Sequence, residues 1–337
     1  MERPGRAPSP QPSPPSGARE LPPLPLAGEG RGRGRAFEAH APSLPSGIGS
    51  QADARTASEG WRFLRRALRH RSFALGGALT LLLLAAAALS LVWTPWSPYE
   101  IDIPNKLQQP SLLHWLGTDT LGRDVASLLL VGARNSILVG VIAVGIGLLV
   151  GTALGLLASA RRGWVEELIM RVSDFGFAFP AILSAIMMTA VFGPGIVNSI
   201  IAIGLYNIPT FARITRASAN VVWSREYVLA ARASGKGKLR ITIEHVLPNI
   251  ASVLIVQGTI RFAIAILAEA ALSYLGLGTQ PPQPSWGRML SEAQTLLFQA
   301  PRLAVFPGVA IVLAVLGLNL LGDGLRDLFD PRLARER

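Results

Sequence analysis

Apolar residues in this chain fall into long blocks, not into the short alternating runs of a soluble fold, and the blocks have membrane length. The first runs from about Phe73 to Trp93 without a charged residue. That matches the roughly 20 apolar helical residues needed to cross a hydrocarbon core. A second block covers about Ser136–Ala158, a third Phe175–Phe192 with Pro180 inside it, and a fourth Ile196–Phe211 with Pro209 near its end. A fifth opens after Pro248 and reaches about Leu275, and a sixth spans Leu303–Leu321 with Pro307 in its first turn. Six such segments predict an all-α polytopic membrane protein with both termini on one side of the bilayer.

The polar stretches give the orientation. Arg62, Arg65, Arg66, Arg69 and Arg71 precede the first block, and no acid lies among residues 61–72. Trp93 and Trp96 sit at its far end, where amphipathic rings favour the membrane interface. Segments 94–134 and 276–302, expected outside, carry three and two Lys/Arg; segment 211–249 and the tail 322–337, expected inside, carry seven and four. Positive residues gather on the cytoplasmic side of membrane proteins, so both termini are expected in the cytoplasm. Residues 1–60 follow a different rule. Pro and Gly supply 20 of them with no apolar period, and such a segment buries too little apolar surface to offset its chain entropy. They are expected to form a disordered low-complexity tail.

Composition narrows the function classes. Half the residues are apolar, yet the net charge is +11, a pairing natural to a membrane protein with basic inner loops. Nucleic-acid binding would also explain the charge, but too little polar chain remains to fold a basic soluble domain. Cysteine is absent, which removes disulfide frameworks and thiol nucleophiles. The four histidines are scattered without metal-ligand spacing, so neither a metal nor a cofactor is expected on this chain.

The segment Arg225–Asn249 stands out among the polar loops: REYVLAARASGKGKLRITIEHVLPN. Its first half is built from helix formers and the small residues Ala230, Ala231 and Ala233, which allow another surface to approach the backbone. Gly235 suits the left-handed conformation that ends one helix and redirects the chain. Lys238–Val246 then reads as a second helix with Ile241 and Val246 as anchors, and Pro248 fits the opening turn of the next span. Spacing alone leaves two readings open, a docking surface for a cytoplasmic partner and a basic loop on anionic headgroups.

The same stretch resembles the EAA loop of ABC importer permeases, a pattern of Glu-Ala-Ala, then Gly, then Leu-Pro. Ala230, Ala231, Gly235, Leu247 and Pro248 occupy matching positions, while Leu229 replaces the acidic residue. HWLGTDTLGRDVASLLLVGARNSILVG (His114–Gly140) and the motifs EAALSYLGLG, PPQPSWGRML and NLLGDGLRDLFDPR within Glu269–Arg332 are similar to the C-type permease of dipeptide, oligopeptide and nickel importers. The resemblance covers roughly residues 73–334. It implies a type I importer permease fold in a bacterial inner membrane and, as function, a pathway for short peptides or a related solute such as nickel. It also implies a second homologous permease, two ATPase subunits that receive the 225–249 loop, and an extracytoplasmic binding protein. On this reading the chain divides into the tail 1–60, a segment 61–131 with the first span and an outward loop, a permease core 132–322 with five spans, and a cytoplasmic tail 323–337.

ATP chemistry is expected on the partners. The nearest likeness to a phosphate-binding loop, Gly235-Lys236-Gly237-Lys238, lacks the upstream glycine spacing and the Ser/Thr that follows GK. Two charges lie inside the fifth span, Arg261 near its middle and Glu269 eight residues on. That spacing separates them by about 12 Å along a helix, too far for a comfortable pair. A central arginine costs ~2.5 kcal/mol or more unless paired or hydrated. Arg261 therefore either lines the pathway and meets a peptide carboxylate, or ion-pairs to fix packing, for instance with an acid of the second permease. Glu269 is expected nearer the outer surface as a packing contact. Gly147, Gly151 and Gly155 form a small-residue stripe suited to close helix packing. Arg171 and Asp174, three residues apart, are expected to pair. Ser285 is placed to cap an outer amphipathic helix, Trp286–Phe298. A stand-alone secondary transporter or channel is the alternative, though it would favour internal repeats and a mid-membrane ion site. An intramembrane enzyme would need acids, histidines or a nucleophile–base pair within the spans, and none is evident.

Overall fold

The computed structural model describes residues 70–329. The tail 1–60 expected to be disordered, and most of the inner arginine cluster, lie outside them. Among the described residues the regular structure is helical, apart from an isolated bridge between Thr118 and Asp124. The helices are α1 (Arg71–Val92), α2 (Val125–Arg161), α3 (Trp164–Ala178), α4 (Ala181–Phe192), α5 (Ile196–Trp223), α6 (Glu226–Ala233), α7 (Lys238–Ile241), α8 (Leu247–Tyr274), α9 (Trp286–Ala293) and α10 (Arg302–Phe329).

Four helical rods are long and apolar enough to cross a membrane: α1, α2, Lys238–Tyr274 and α10. The third expected span is not a straight helix. It is the pair α3 and α4, bent by 83° at Phe179–Pro180, and as a broken span it makes a fifth. Proline has no N–H to continue the ladder and pushes the residue before it out of the helical region; Phe179 is accordingly extended. The fourth expected span, α5, is less apolar because Asn198, Asn207, Arg213 and Arg216 lie along it. Its 28 residues still reach about 42 Å. Pro209 sits inside that continuous helix, so the break falls at Pro180 alone.

Small residues set the helix pairs. A Cβ on Gly147 would overlap Asn207, one on Gly151 would lie 2.5 Å from the Ile208 carbonyl oxygen, and one on Gly155 2.5 Å from that of Ala212. The expected glycine stripe is therefore an internal seam, along which α2 and α5 run parallel with backbones in contact. Glycines also join α1 and α10: Gly76 meets the backbone of Leu320 and Leu321, Gly317 meets Leu79, and Gly324 lies against Phe73. The register is antiparallel. It places Phe73 beside Gly324, so the first and last spans begin and end on the same side.

At the end of the bundle where α2 begins and α8 ends, α9 is buckled to it. Ser285 caps it, its side chain accepting from the Arg288 N–H. The helix ends at Ala293 and gives way to a 3₁₀ turn, Gln294–Leu296, shorter than the expected Trp286–Phe298. Asn135 Nδ2 donates to the Pro284 carbonyl at 2.7 Å and Trp286 Nε1 to the Leu129 carbonyl at 3.1 Å. Trp286 fits over Gly132, and Gly287 against the Ala270 backbone.

The expected Arg171–Asp174 pair is not formed. Arg171 reaches Glu167 at 3.5 Å, while Asp174 accepts from Arg213 of α5 at 2.6 Å. Arg213 also stacks over Phe177, and Arg216 bonds Glu166 at 2.7 Å. Cross-helix partners win because α3 lies antiparallel along the C-terminal half of α5, presenting its acids to two arginines.

Candidate functional site

The polar segment between α5 and α8 is ordered, and its glycine does what its chemistry suggests. α6 ends at Ala233, and Gly235 takes φ +80°, the left-handed region that favours glycine. A Cβ there would meet nothing within 4 Å, so the requirement is one of backbone shape, not of space. The chain then turns into α7. Val228, Ile241 and Val246 are fully buried and join an apolar cluster with Val222, Trp223 and Ile250. These three anchors seat the segment on the C-terminal end of α5 and the N-terminal end of α8.

The second half departs from the expected separate helix. Lys238 to Tyr274 is one continuous rod, with a π-helical turn at Thr242–Val246. Pro248, in the first turn of α8, offers no N–H to the carbonyl of residue 244 and crowds that turn. A widened i→i+5 turn relieves the clash without breaking the helix. The rod's 37 residues reach about 55 Å, well beyond a hydrocarbon core of about 30 Å. Its first turns therefore project into water with α6.

Apart from the three anchors and Thr242, most of the segment faces solvent. On α6 only Val228 is buried; Ala230 is exposed and Ala231 half-buried. Leu247 is half-buried and Pro248 exposed. Tyr227, Leu229, Leu239 and Ile243 are all at least 46% exposed, so an apolar surface is presented on an otherwise basic segment. Beside it opens a cavity of about 440 Å³ lined by Val221, Arg225, Tyr227, Asn249 and Val253, among others. The turn is tied by a charge clamp that sequence reading missed. Lys236 Nζ donates to Glu244 at 2.7 Å, and Arg240 donates to its other oxygen. These bonds, the Lys236 one foremost, hold the Glu244 carboxyl at about 2. The Arg240–Glu244 spacing of four residues was a legible signal.

The two intramembrane charges have different surroundings. Glu269 is fully buried, and among the described residues no cation lies within ion-pair distance of it. Its carboxyl accepts from Ser273 at 2.6 Å, Ser136 of α2 at 3.1 Å and Thr279 at 3.2 Å. It is thus the centre of a buckle between α2, α8 and the loop leading to α9. Of its partners, Ser273 was legible four residues along the helix; Ser136 and Thr279 come from other segments with no local spacing to betray them. Arg261 is half-buried at the midpoint of α8. Among the described residues no carboxylate lies within ion-pair distance, and its Nε is buried with no hydrogen-bond partner. The two charges are not brought together. No group of three or more His, Asp or Glu among the described residues has the geometry to hold a metal ion.

Comparison with known proteins agrees with this architecture. Residues 143–335 match the family model described as the binding-protein-dependent transport system inner membrane component. The glutathione transport system permease protein GsiD of Pectobacterium atrosepticum is 43% identical over 275 residues, covering 81% of this chain and 91% of that protein. The same permease of Escherichia coli is 46% identical over 277 residues, with equal coverage. Among solved structures, an inward-facing MetNI methionine ABC transporter has a chain that superposes with a TM-score of 0.52 at 16% identity. That match covers 60% of this chain and 97% of the other, a likeness of fold. An ordered polar segment riding on the ends of two spans, a fold like that of a solved importer chain, and a family match over most of the bundle lead to one conclusion: the chain belongs to the inner membrane permease components of binding-protein-dependent ABC importers, in the peptide and nickel group.

Proposed function

We propose that this subunit provides half of a pathway for short peptides, with a second homologous permease providing the other half, and that α6 docks on one of two ATPase subunits. The observation that carries the docking role is α6 itself: a helix anchored by one buried residue, redirected by a left-handed glycine, and exposing Ala230, Tyr227 and Leu229 to solvent. Leu229, in place of the family's acid, makes that contact apolar. The relatives named for glutathione transport support a short anionic peptide as cargo. On this reading ATP is bound and hydrolysed by the partners, this chain carries no cofactor, the transporting core is residues 132–322, and both termini are cytoplasmic. The basic inner segments and the common side of Phe73 and Gly324 support that orientation.

The test replaces Gly235 by valine in the assembled importer, with Gly237→Val as control. Gly235 needs φ +80°, whereas Gly237 has an ordinary φ of −67°; both have open space for a side chain. A β-branched residue in the left-handed region costs roughly 1–2 kcal/mol, enough to displace α6. Gly235→Val is expected to lower binding-protein-stimulated ATPase activity at least fivefold with membrane insertion retained, and Gly237→Val to leave it unchanged. Equal activity in both variants would remove α6 from the coupling path.

A further inference from the structure

We propose that Arg261 forms a station for a peptide's carboxylate midway across the bilayer; this rests on the importer reading above. Arg261 lies at the centre of α8, where an unpaired guanidinium is costly unless it meets water or an anion. Its one carboxylate neighbour along the helix, Glu269, is about 12 Å away along the axis and is held by hydroxyl groups. The basic side chains of α3 and α5 each have an acid: Arg171 has Glu167, Arg213 has Asp174 and Arg216 has Glu166. Arg261 has none among the described residues.

The surroundings suit a ligand better than a packing contact. Tyr206 lies on α5, which packs against α8. Its ring packs edge-on against Phe177 at 6.1 Å, two residues before the 83° break between α3 and α4. Non-helical backbone at membrane depth belongs where it is buried in protein or lines an aqueous cavity. Pro180 gives α4 no side-chain cap, so free N–H groups of its first turn lie at the same break. Three residues before Arg261, a Cβ on Gly258 would meet nothing within 4 Å. The helix thus has open space next to the charge. A carboxylate arriving there would gain a guanidinium partner, a donor of charge-assisted hydrogen bonds.

The absence of cysteine from this chain makes a direct test possible without knowing the cargo. Gly258→Cys places a thiol one turn from Arg261, in the complete importer with cysteine-free partners, reconstituted in lipid nanodiscs. The thiol is reacted with an anionic and a cationic methanethiosulfonate, and each rate is divided by that of a free thiol in solution. With Arg261 in place the anionic reagent is expected to be favoured about tenfold over the cationic one; Arg261→Met abolishes the preference and Arg261→Lys keeps it. No reaction with either reagent, or a ratio untouched by Arg261→Met, overturns the station and leaves Arg261 as a packing charge. Should Arg261→Met fail to assemble, the ratio in Gly258→Cys alone decides, since a value near that of the free thiol refutes anion attraction. Binding-protein-stimulated ATPase is measured first on the unmodified importer. Its absence would count against the importer reading itself, whereas stimulated ATPase with a charge-blind thiol sinks only the station.

Discussion

Gly151 and Gly145 lie on the same helix, six residues apart, and the structure gives them opposite responses to alanine. At Gly151 the added Cβ would stand 2.5 Å from the Ile208 carbonyl oxygen and 2.7 Å from Phe211 Cβ. Ordinary contact begins near 3.4 Å, so α5 must retreat by about 0.9 Å along that line, and the obstructing atom is backbone, which no rotamer change removes. A gap of 0.5–1 Å forfeits roughly a quarter to a half of each dispersion contact it opens. Overpacking of this kind costs about 1–3 kcal/mol, against which alanine returns up to about 1 kcal/mol of helix propensity. At Gly145 nothing lies within 4 Å, and only the propensity gain remains. Gly151→Ala is therefore expected to be destabilised by about 1–2 kcal/mol and Gly145→Ala stabilised by up to about 1 kcal/mol. Equilibrium unfolding in mixed micelles of dodecyl sulfate and a mild detergent, followed by tryptophan fluorescence, reads the difference. Equal midpoints for the two variants would refute the claim that backbone contact along the α2–α5 seam holds the bundle.

Two other substitutions follow from the polar contacts. Glu269→Leu leaves at least three hydroxyls buried without their acceptor, at about 1 kcal/mol or more each, and is expected to lower thermal stability of the purified importer while Glu269→Gln lowers it less. A Leu variant as stable as the parent would show that the buckle contributes nothing. For the clamp on Glu244, the folded carboxyl is held at about 2, below its ordinary value. Its contribution is therefore complete above the unfolded value and lost only as pH falls towards 2. Coupled ATPase activity should not change through this group between about pH 5 and 8, while Glu244→Gln loosens the turn at every pH in that window. A Glu244-dependent step in activity near neutral pH would contradict the assignment.

Much of this molecule was legible because its strongest signals are local. Gly235 announced a left-handed turn, Ser285 a cap, and Ile241 and Val246 their burial, since each is decided by its own backbone or by neighbours within a turn. The apolar blocks marked the spans to within a few residues at several ends, although α2 begins eleven residues before the block did, where polar Asn135 and Ser136 are paid for by partners elsewhere. Pairing across helices was not legible. Asp174 bonds Arg213, and Glu269 gathers hydroxyls from three segments, because tertiary packing decides which of several nearby charges and donors meet. The continuity of α7 with α8 was hidden for a subtler reason: Pro248 reads as a helix start, yet a π turn absorbs the missing N–H and lets the helix run through.

That continuity has a mechanical consequence. The rod Lys238–Tyr274 joins the exposed segment at one end to the Glu269 buckle at the other, so a displacement of that segment reaches the buckle as leverage. Over about 55 Å, a tilt of 5° pivoted at one end sweeps the other by about 5 Å. The π turn is the one length of the lever wound differently from the rest, and it lies next to the exposed segment.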